Sequence, residues 1–217
     1  MQIESASNKR RRMDHIVSLL KQEYPDAQCS LQYKSSFQLL VSTILSAQCT
    51  DARVNKVTRS LFAKYSKAED FVSLPLETIK KEIYSTGFYN NKAKSIKGMA
   101  TVVMRQYGGE LPQTLDEMVK LPGVGRKTAN VVLGNVFGIP SIVVDTHVTR
   151  ISNLLKFVKT ENAVKIEKEL AKLIYKNDWT LFAHLLIEHG RAVCIANRPK
   201  CQNCVIAEFC PSNIGDA

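Results

Sequence analysis

Four cysteines near the C-terminal end, Cys194, Cys201, Cys204 and Cys210, constrain this chain more than any other feature. They are spaced C-x6-C-x2-C-x5-C. Thiols this close together rarely pair as two relaxed disulfides within a compact turn, but they can wrap one metal centre. Soft sulfur ligands select zinc or an iron–sulfur cluster, and ligand type alone leaves both open. Two structural disulfides are the competing reading, and they belong to an oxidising compartment. The segment Met1–Asn8 lacks the apolar core of a signal peptide and runs into Lys9-Arg10-Arg11-Arg12. No stretch approaches the roughly 20 apolar residues of a membrane span. The expected location is therefore the reducing cytoplasm, with no signal peptide and no membrane partner. That setting favours metal ligation.

With 217 residues, 45% of them hydrophobic and 23% charged, the chain can bury a sizeable core. Lys+Arg 30 against Asp+Glu 20 leaves a net charge of +10. Such an excess favours a polyanionic partner, usually DNA or RNA, although membrane-surface binders are basic too. The run at residues 9–12 fits a nuclear signal, a phosphate-contacting patch or a solvated helix end.

The apolar pattern is helical almost throughout. Met13, Ile16, Val17, Leu20 and Tyr24 form one stripe that Pro25 stops. Phe37 to Leu45 is apolar nearly all round and predicts a central buried helix. Asp51 is placed as the N-cap of a helix carrying Val54, Val57, Leu61 and Tyr65. Asn90 and Asn91 are expected to precede another with Ala93, Ile96, Ala100, Val103 and Met104. Further helices are predicted near 114–120, 125–137, 161–175 and 180–192. Only Ser141–Val144 reads as strand, too short to build a sheet. Neither a repeat nor a low-complexity linker interrupts the pattern, and the predicted fold class is all-α. No exposed heptad or long free edge is apparent, so a monomer is expected.

Leu121-Pro122-Gly123-Val124-Gly125-Arg126-Lys127-Thr128-Ala129 joins a short helix to a longer one. Pro122 ends the first, and the two glycines allow positive φ and close approach of another backbone. Amides after Gly123 and Gly125, on Val124 and Arg126, then sit at a helix N-terminus that favours an anion. A hairpin of this kind grips a nucleic-acid backbone without reading its sequence; such turns also serve merely to cap helices.

Lys127 follows in the first helical turn, where the dipole and Arg126 oppose further positive charge. A plain phosphate contact is one role. Nucleophile and Schiff-base former is another, open to a lysine in its neutral form. A partner for that chemistry appears in Val143-Val144-Asp145-Thr146-His147. Helical residues 126–137 would rise about 18 Å, and residues 138–144 can extend back roughly 23 Å, enough to return Asp145 beside Lys127. Asp145 also precedes a helical segment, Val148–Leu155, so it doubles as an N-cap.

The hairpin LPGVGRKTANVV, the VDTH segment and the four-cysteine ending together resemble the bacterial endonuclease III family. SAQCTD at 46–51 and GFYNNKA at 87–93 look like family motifs as well. The similarity runs from the first helix to Cys210. These relatives are helix-hairpin-helix DNA glycosylases and abasic-site lyases for oxidised pyrimidines. The resemblance implies a [4Fe–4S] cluster on Cys194, Cys201, Cys204 and Cys210. It also implies a six-helix barrel over 28–138 with the hairpin at about 114–137. Residues 1–27 would join 139–217 as a cluster lobe, with a DNA cleft between the two and Lys127 and Asp145 at its mouth.

By the same resemblance Lys127 is the nucleophile, Asp145 steadies the charge developing on the sugar, and the partner is duplex DNA with a flipped damaged base or abasic site. Gln48 and Phe88 align with positions that fill the gap the flipped nucleotide leaves. The family commonly carries leucine where Phe88 stands, and a core aromatic is the other role for this ring. His147 would position phosphate or water, or serve structurally. Arg191, Arg198 and Lys200 surround the cysteines and would reach DNA phosphates or remain solvated surface charge. Cys29 and Cys49 lack metal-type spacing and are expected to be buried small apolar residues. Two alternatives stand beside this reading. One is a monofunctional mismatch or adenine glycosylase, whose relatives resemble proteins without the hairpin lysine. The other is a non-catalytic DNA-binding module, which would not need Lys127 and Asp145 together.

Overall fold

The computed structural model describes residues 4–214, which divide into two units. One comprises residues up to Gln28 together with those from Pro140 onward; the other is Cys29–Ile139. Helices dominate both, and no β-strand occurs among the described residues. Helix α1 (Ala6–Glu23) buries Met13, Ile16, Val17 and Leu20, the stripe that its sequence period announces. Helices α2 (Ser36–Leu45), α3 (Asp51–Lys64), α4 (Ala68–Ser73), α5 (Leu76–Ile83), α6 (Tyr89–Tyr107), α7 (Leu115–Met118) and α8 (Arg126–Asn135) make the continuous unit. Within it α4 and α5 pack on α6, while α2 packs on α3, α6 and α8. Every residue from Phe37 to Leu45 is buried, so α2 is the central helix. Each large side chain sealed there contributes about 1.5–3 kcal/mol.

The discontinuous unit adds α9 (Thr146–Leu154), α10 (Ala163–Leu173) and α11 (Trp179–Ala192) to α1. Here α11 packs on α9 and α1, and α10 on α1 and α9. The basic run of α1 is largely a tether. Lys9 Nζ donates to the Phe157 carbonyl at 2.7 Å. Arg12 donates to Leu155 O at 2.9 Å and Phe209 O at 3.1 Å, and pairs with Glu4 at 2.8 Å.

Four local expectations change. Ser141–Val144 is buried but irregular: it has no strand to pair with, and Ser141 O accepts from Thr180 Oγ1 instead. Thr50, not Asp51, caps α3, because the Asp51 carboxylate accepts from Ser30 Oγ at 2.6 Å. Asn90 and Asn91 lie inside α6, whose N-cap position is Phe88. Lastly, α4 and α5 form where no helix was expected; both are short and owe their order to packing on α6.

Candidate nucleic-acid interface and metal centre

The hairpin is built from α7, a turn and α8. Thr114 caps α7 and also donates to Glu117 Oε2 at 2.7 Å. Leu121, at 3% exposure, and Val124, at 5%, anchor the turn in the core of the continuous unit. The Val124 amide donates to Leu121 O at 3.1 Å, so this amide closes the turn rather than facing outward. The two glycines differ. Gly123 has φ +75°, and a Cβ there would stand 2.4 Å from Ser95 Cβ on α6. Gly125 has φ −88°, and a Cβ there would meet nothing within 4 Å. Only the first glycine is required by backbone conformation and packing.

Gly125 is the N-cap of α8 and supplies no capping side chain. No side chain caps the start of that helix, the condition under which a helix N-terminus receives an anion. Lys127 is exposed on this first turn and forms no ion pair among the described residues.

Gln48 and Phe88 occupy turns with unusual backbones in the same unit. Gln48 has φ 52° and Phe88 φ 49°; both side chains are exposed, Phe88 at 62%. A non-glycine residue in this region costs of order 1–3 kcal/mol and persists only where its surroundings hold it. The core-aromatic role for Phe88 is excluded by its exposure. Cys29 and Cys49 are half-buried against the core, and burial raises the Cys29 thiol.

In the discontinuous unit, Asp145 caps α9, its Oδ1 accepting from the Val148 amide at 2.8 Å. His147 lies in the first turn of α9, against Gly190 of α11, where an added Cβ would come within 2.5 Å of its Nδ1. Arg150 reaches His147 Nδ1 and Cys194 Sγ, each at 3.5 Å. His189, buried on α11, has Nε2 at 3.6 Å from Cys204 Sγ and Nδ1 at 3.1 Å from the Tyr24 hydroxyl. Burial, with Arg150 adding to it, pushes His189 down to about 4, so it meets the sulfur as a neutral ring. The contacts of Arg150 and His189 with the cysteines carry no sequence signal, since neither residue belongs to the cysteine spacing.

All six cysteines are free of disulfides. Cys194, Cys201, Cys204 and Cys210 line one cavity of about 220 Å³, with Ile206, Arg150 and His189 in its wall. Among the described residues no three or more His, Cys, Asp or Glu side chains close tightly enough for a single ion. Burial pushes the Cys204 thiol up to about 11, and raises Cys210 as well, with the neighbouring cysteines adding to both. Such a set becomes thiolate readily only around a cationic centre. Four thiols gathered on one cavity fit a thiolate-bound metal centre. Arg191, Arg198 and Lys200 are exposed near the cysteines, Arg191 pairing with Glu188 at 3.5 Å. Among the described residues no helix is long and apolar enough to cross a membrane.

Residues 41–176 match the family model of the HhH-GPD superfamily base excision DNA repair proteins. An endonuclease III of Synechocystis sp. is 47% identical over 97% of this chain and 96% of its own. The Bacillus subtilis endonuclease III is also 47% identical, over 86% of each. A solved structure of a trapped endonuclease III–DNA covalent intermediate superposes with a TM-score of 0.89 at 42% identity, covering 94% of this chain and 96% of that one.

Proposed function

Because the chain belongs to the endonuclease III family of the HhH-GPD superfamily, we propose that it is a bifunctional DNA glycosylase and abasic-site lyase. It excises oxidised pyrimidines from duplex DNA in base excision repair, acting as a monomer in the cytoplasm at the nucleoid. The observation that carries this reading is Lys127, exposed on the first turn of a helix whose cap, Gly125, has no side chain. Backbone phosphate on the Gly123–Arg126 turn would bring a sugar to the amine, and the covering DNA would remove its water.

The target nucleotide is flipped from the stack at a cost of a few kcal/mol. Gln48 and Phe88 fill the gap, the amide reaching the orphaned base and the ring wedging the stack. As the glycosidic bond breaks, oxocarbenium character develops at the sugar, and the Asp145 carboxylate stabilises it. Neutral Lys127 bonds to C1′, and the base departs with the bonding electrons and takes up a proton. Opening of the ring at C1′–O4′ leaves an imine on Nζ, which acidifies the C2′ protons. Loss of one expels the 3′ phosphate by β-elimination and nicks the strand. Water then hydrolyses the imine and restores the amine.

His147, Arg198 and Lys200 are assigned phosphate contacts. Cys194, Cys201, Cys204 and Cys210 would hold a [4Fe–4S] cluster through their thiolates, and its irons would cross-link and order the loop carrying Arg198 and Lys200. Borohydride reduction tests the nucleophile. A covalent protein–DNA adduct is expected with oxidised-pyrimidine duplex, and none with Lys127→Gln. An undiminished adduct in that variant overturns the assignment; base release without any wild-type adduct means a monofunctional glycosylase.

A further inference from the structure

Lys92 lies near the start of α6 at only 5% exposure, a rare state for lysine. Its ammonium donates to the carbonyls of Leu45 and Thr86, each at 2.8 Å. Neither acceptor is a carboxylate, and Lys92 has no salt bridge among the described residues. The two carbonyls belong to different parts of the chain. Leu45 ends α2, just before the turn that carries Gln48. Thr86 ends a 3-10 turn (Tyr84–Thr86) and is followed by Gly87 and Phe88. Carbonyls at helical C-termini lack internal donors and attract a cation.

Burial shifts Lys92 below the ordinary lysine range, with the nearby Cys49 thiol acting the other way. An ammonium is costly to desolvate, and methionine would fill the same space without that cost. Methionine would, however, leave both carbonyls without this donor, so what a lysine supplies here is the pair of contacts that joins them. The residues after the two acceptors, Gln48 and Phe88, both hold left-handed backbones that would relax if their turns were free. On the Phe88 side, Thr86 Oγ1 donates to Ile83 O, and the Tyr84 and Tyr89 rings pack at 4.7 Å. Lys92 joins that turn to the end of α2, from which the Gln48 turn departs.

We propose that Lys92 is a positioning residue, a buried ammonium clamp that fixes the spacing of the Gln48 and Phe88 turns so that amide and ring enter a duplex together. The clamp rests on the proposed contact of those two side chains with the gap left by a flipped nucleotide. It matters only where a base must be extruded and an orphan base held. An abasic site in single-stranded DNA needs neither.

The test compares wild type, Lys92→Met, Lys92→Arg, Gln48→Ala and Phe88→Ala, as full-length metal-loaded proteins. One substrate is a duplex with an oxidised pyrimidine, the other a single strand with an abasic site. Lys92→Met is expected to melt somewhat lower but remain folded at the assay temperature, and to nick the single strand within about twofold of wild type, while duplex excision falls about tenfold or more in kcat/KM. Lys92→Arg, which keeps charge and donors, should recover part of that loss. Equal losses on both substrates, or none, overturn the clamp. Losses in Gln48→Ala and Phe88→Ala with full activity in Lys92→Met reject the clamp and leave the DNA contact standing. Full duplex activity in both alanine variants removes that contact and the clamp with it. If Lys92→Met does not fold, hydrogen exchange on the unmodified protein decides. The Cys49 and Gly87 amides should then exchange at a common rate, and rates more than about tenfold apart overturn the proposal.

Discussion

Gly123 and Gly125 show how adjacent glycines can serve different ends. Alanine at 123 would meet Ser95 Cβ at 2.4 Å with its backbone at positive φ. Gly123→Ala is expected to cost about 3 kcal/mol in urea unfolding, from backbone strain and overpacking together. Gly125→Ala has open space and an ordinary backbone, so its stability should stay within about 0.5 kcal/mol of wild type. Its methyl group would project from the proposed phosphate-binding turn, and DNA affinity by fluorescence anisotropy should weaken. The motif alone marks this turn as a phosphate grip, yet it treats the two glycines alike. Ser95, which separates them, is far away in the chain. For Phe88 the sequence left two roles, a gap-filling ring and a core aromatic, and its 62% exposure on a left-handed backbone removes the second.

Among the elements, α9 carries the sharpest test, since Asp145 is both its cap and the proposed catalytic carboxylate. Asparagine caps a helix as well as aspartate does. Asp145→Asn should therefore melt with wild type while its trapped-adduct yield and excision rate collapse. Asp145→Ala should lose the same activity and about 1 kcal/mol of stability besides. A matched loss of stability in Asp145→Asn would show that the charge, not the cap, supports the helix. Helix positions with a wide apolar stripe, α1 and α2, were legible because burial follows period. Helix starts were less so. Thr50 and Asp51 are both good caps; Thr50 takes the cap while the Asp51 carboxylate engages Ser30, from another part of the chain. Short helices such as α4 have too few residues to show a period and form because α6 gives them a surface.

On the scale of the whole molecule, the discontinuous unit ties the first helix to the last loop. Arg12 spans from α1 to Leu155 at the end of α9 and to Phe209 beside Cys210, with its guanidinium 4.3 Å from the Phe157 ring centroid. Iron and sulfide analysis should find about four of each per chain, with a visible charge-transfer absorbance. Colourless protein with stoichiometric zinc would contradict the cluster. Oxidative removal of the iron is expected to abolish hydrogen-exchange protection across residues 194–213 and to loosen α1 around Arg12. Residues 29–139 should retain theirs, because no cysteine of the metal set lies among them.

Local spacing carried the helical class, the hairpin, the cysteine set and the kinship, because each is written in residues close together along the chain. Contacts between distant residues could only come from folding. They account for the Arg12 tether, for His189 and Arg150 beside the sulfurs, and for the lysine bridging the ends of two separate turns. A sequence records which groups are available; the packed chain alone determines which of them lose water together, and that sets their partners.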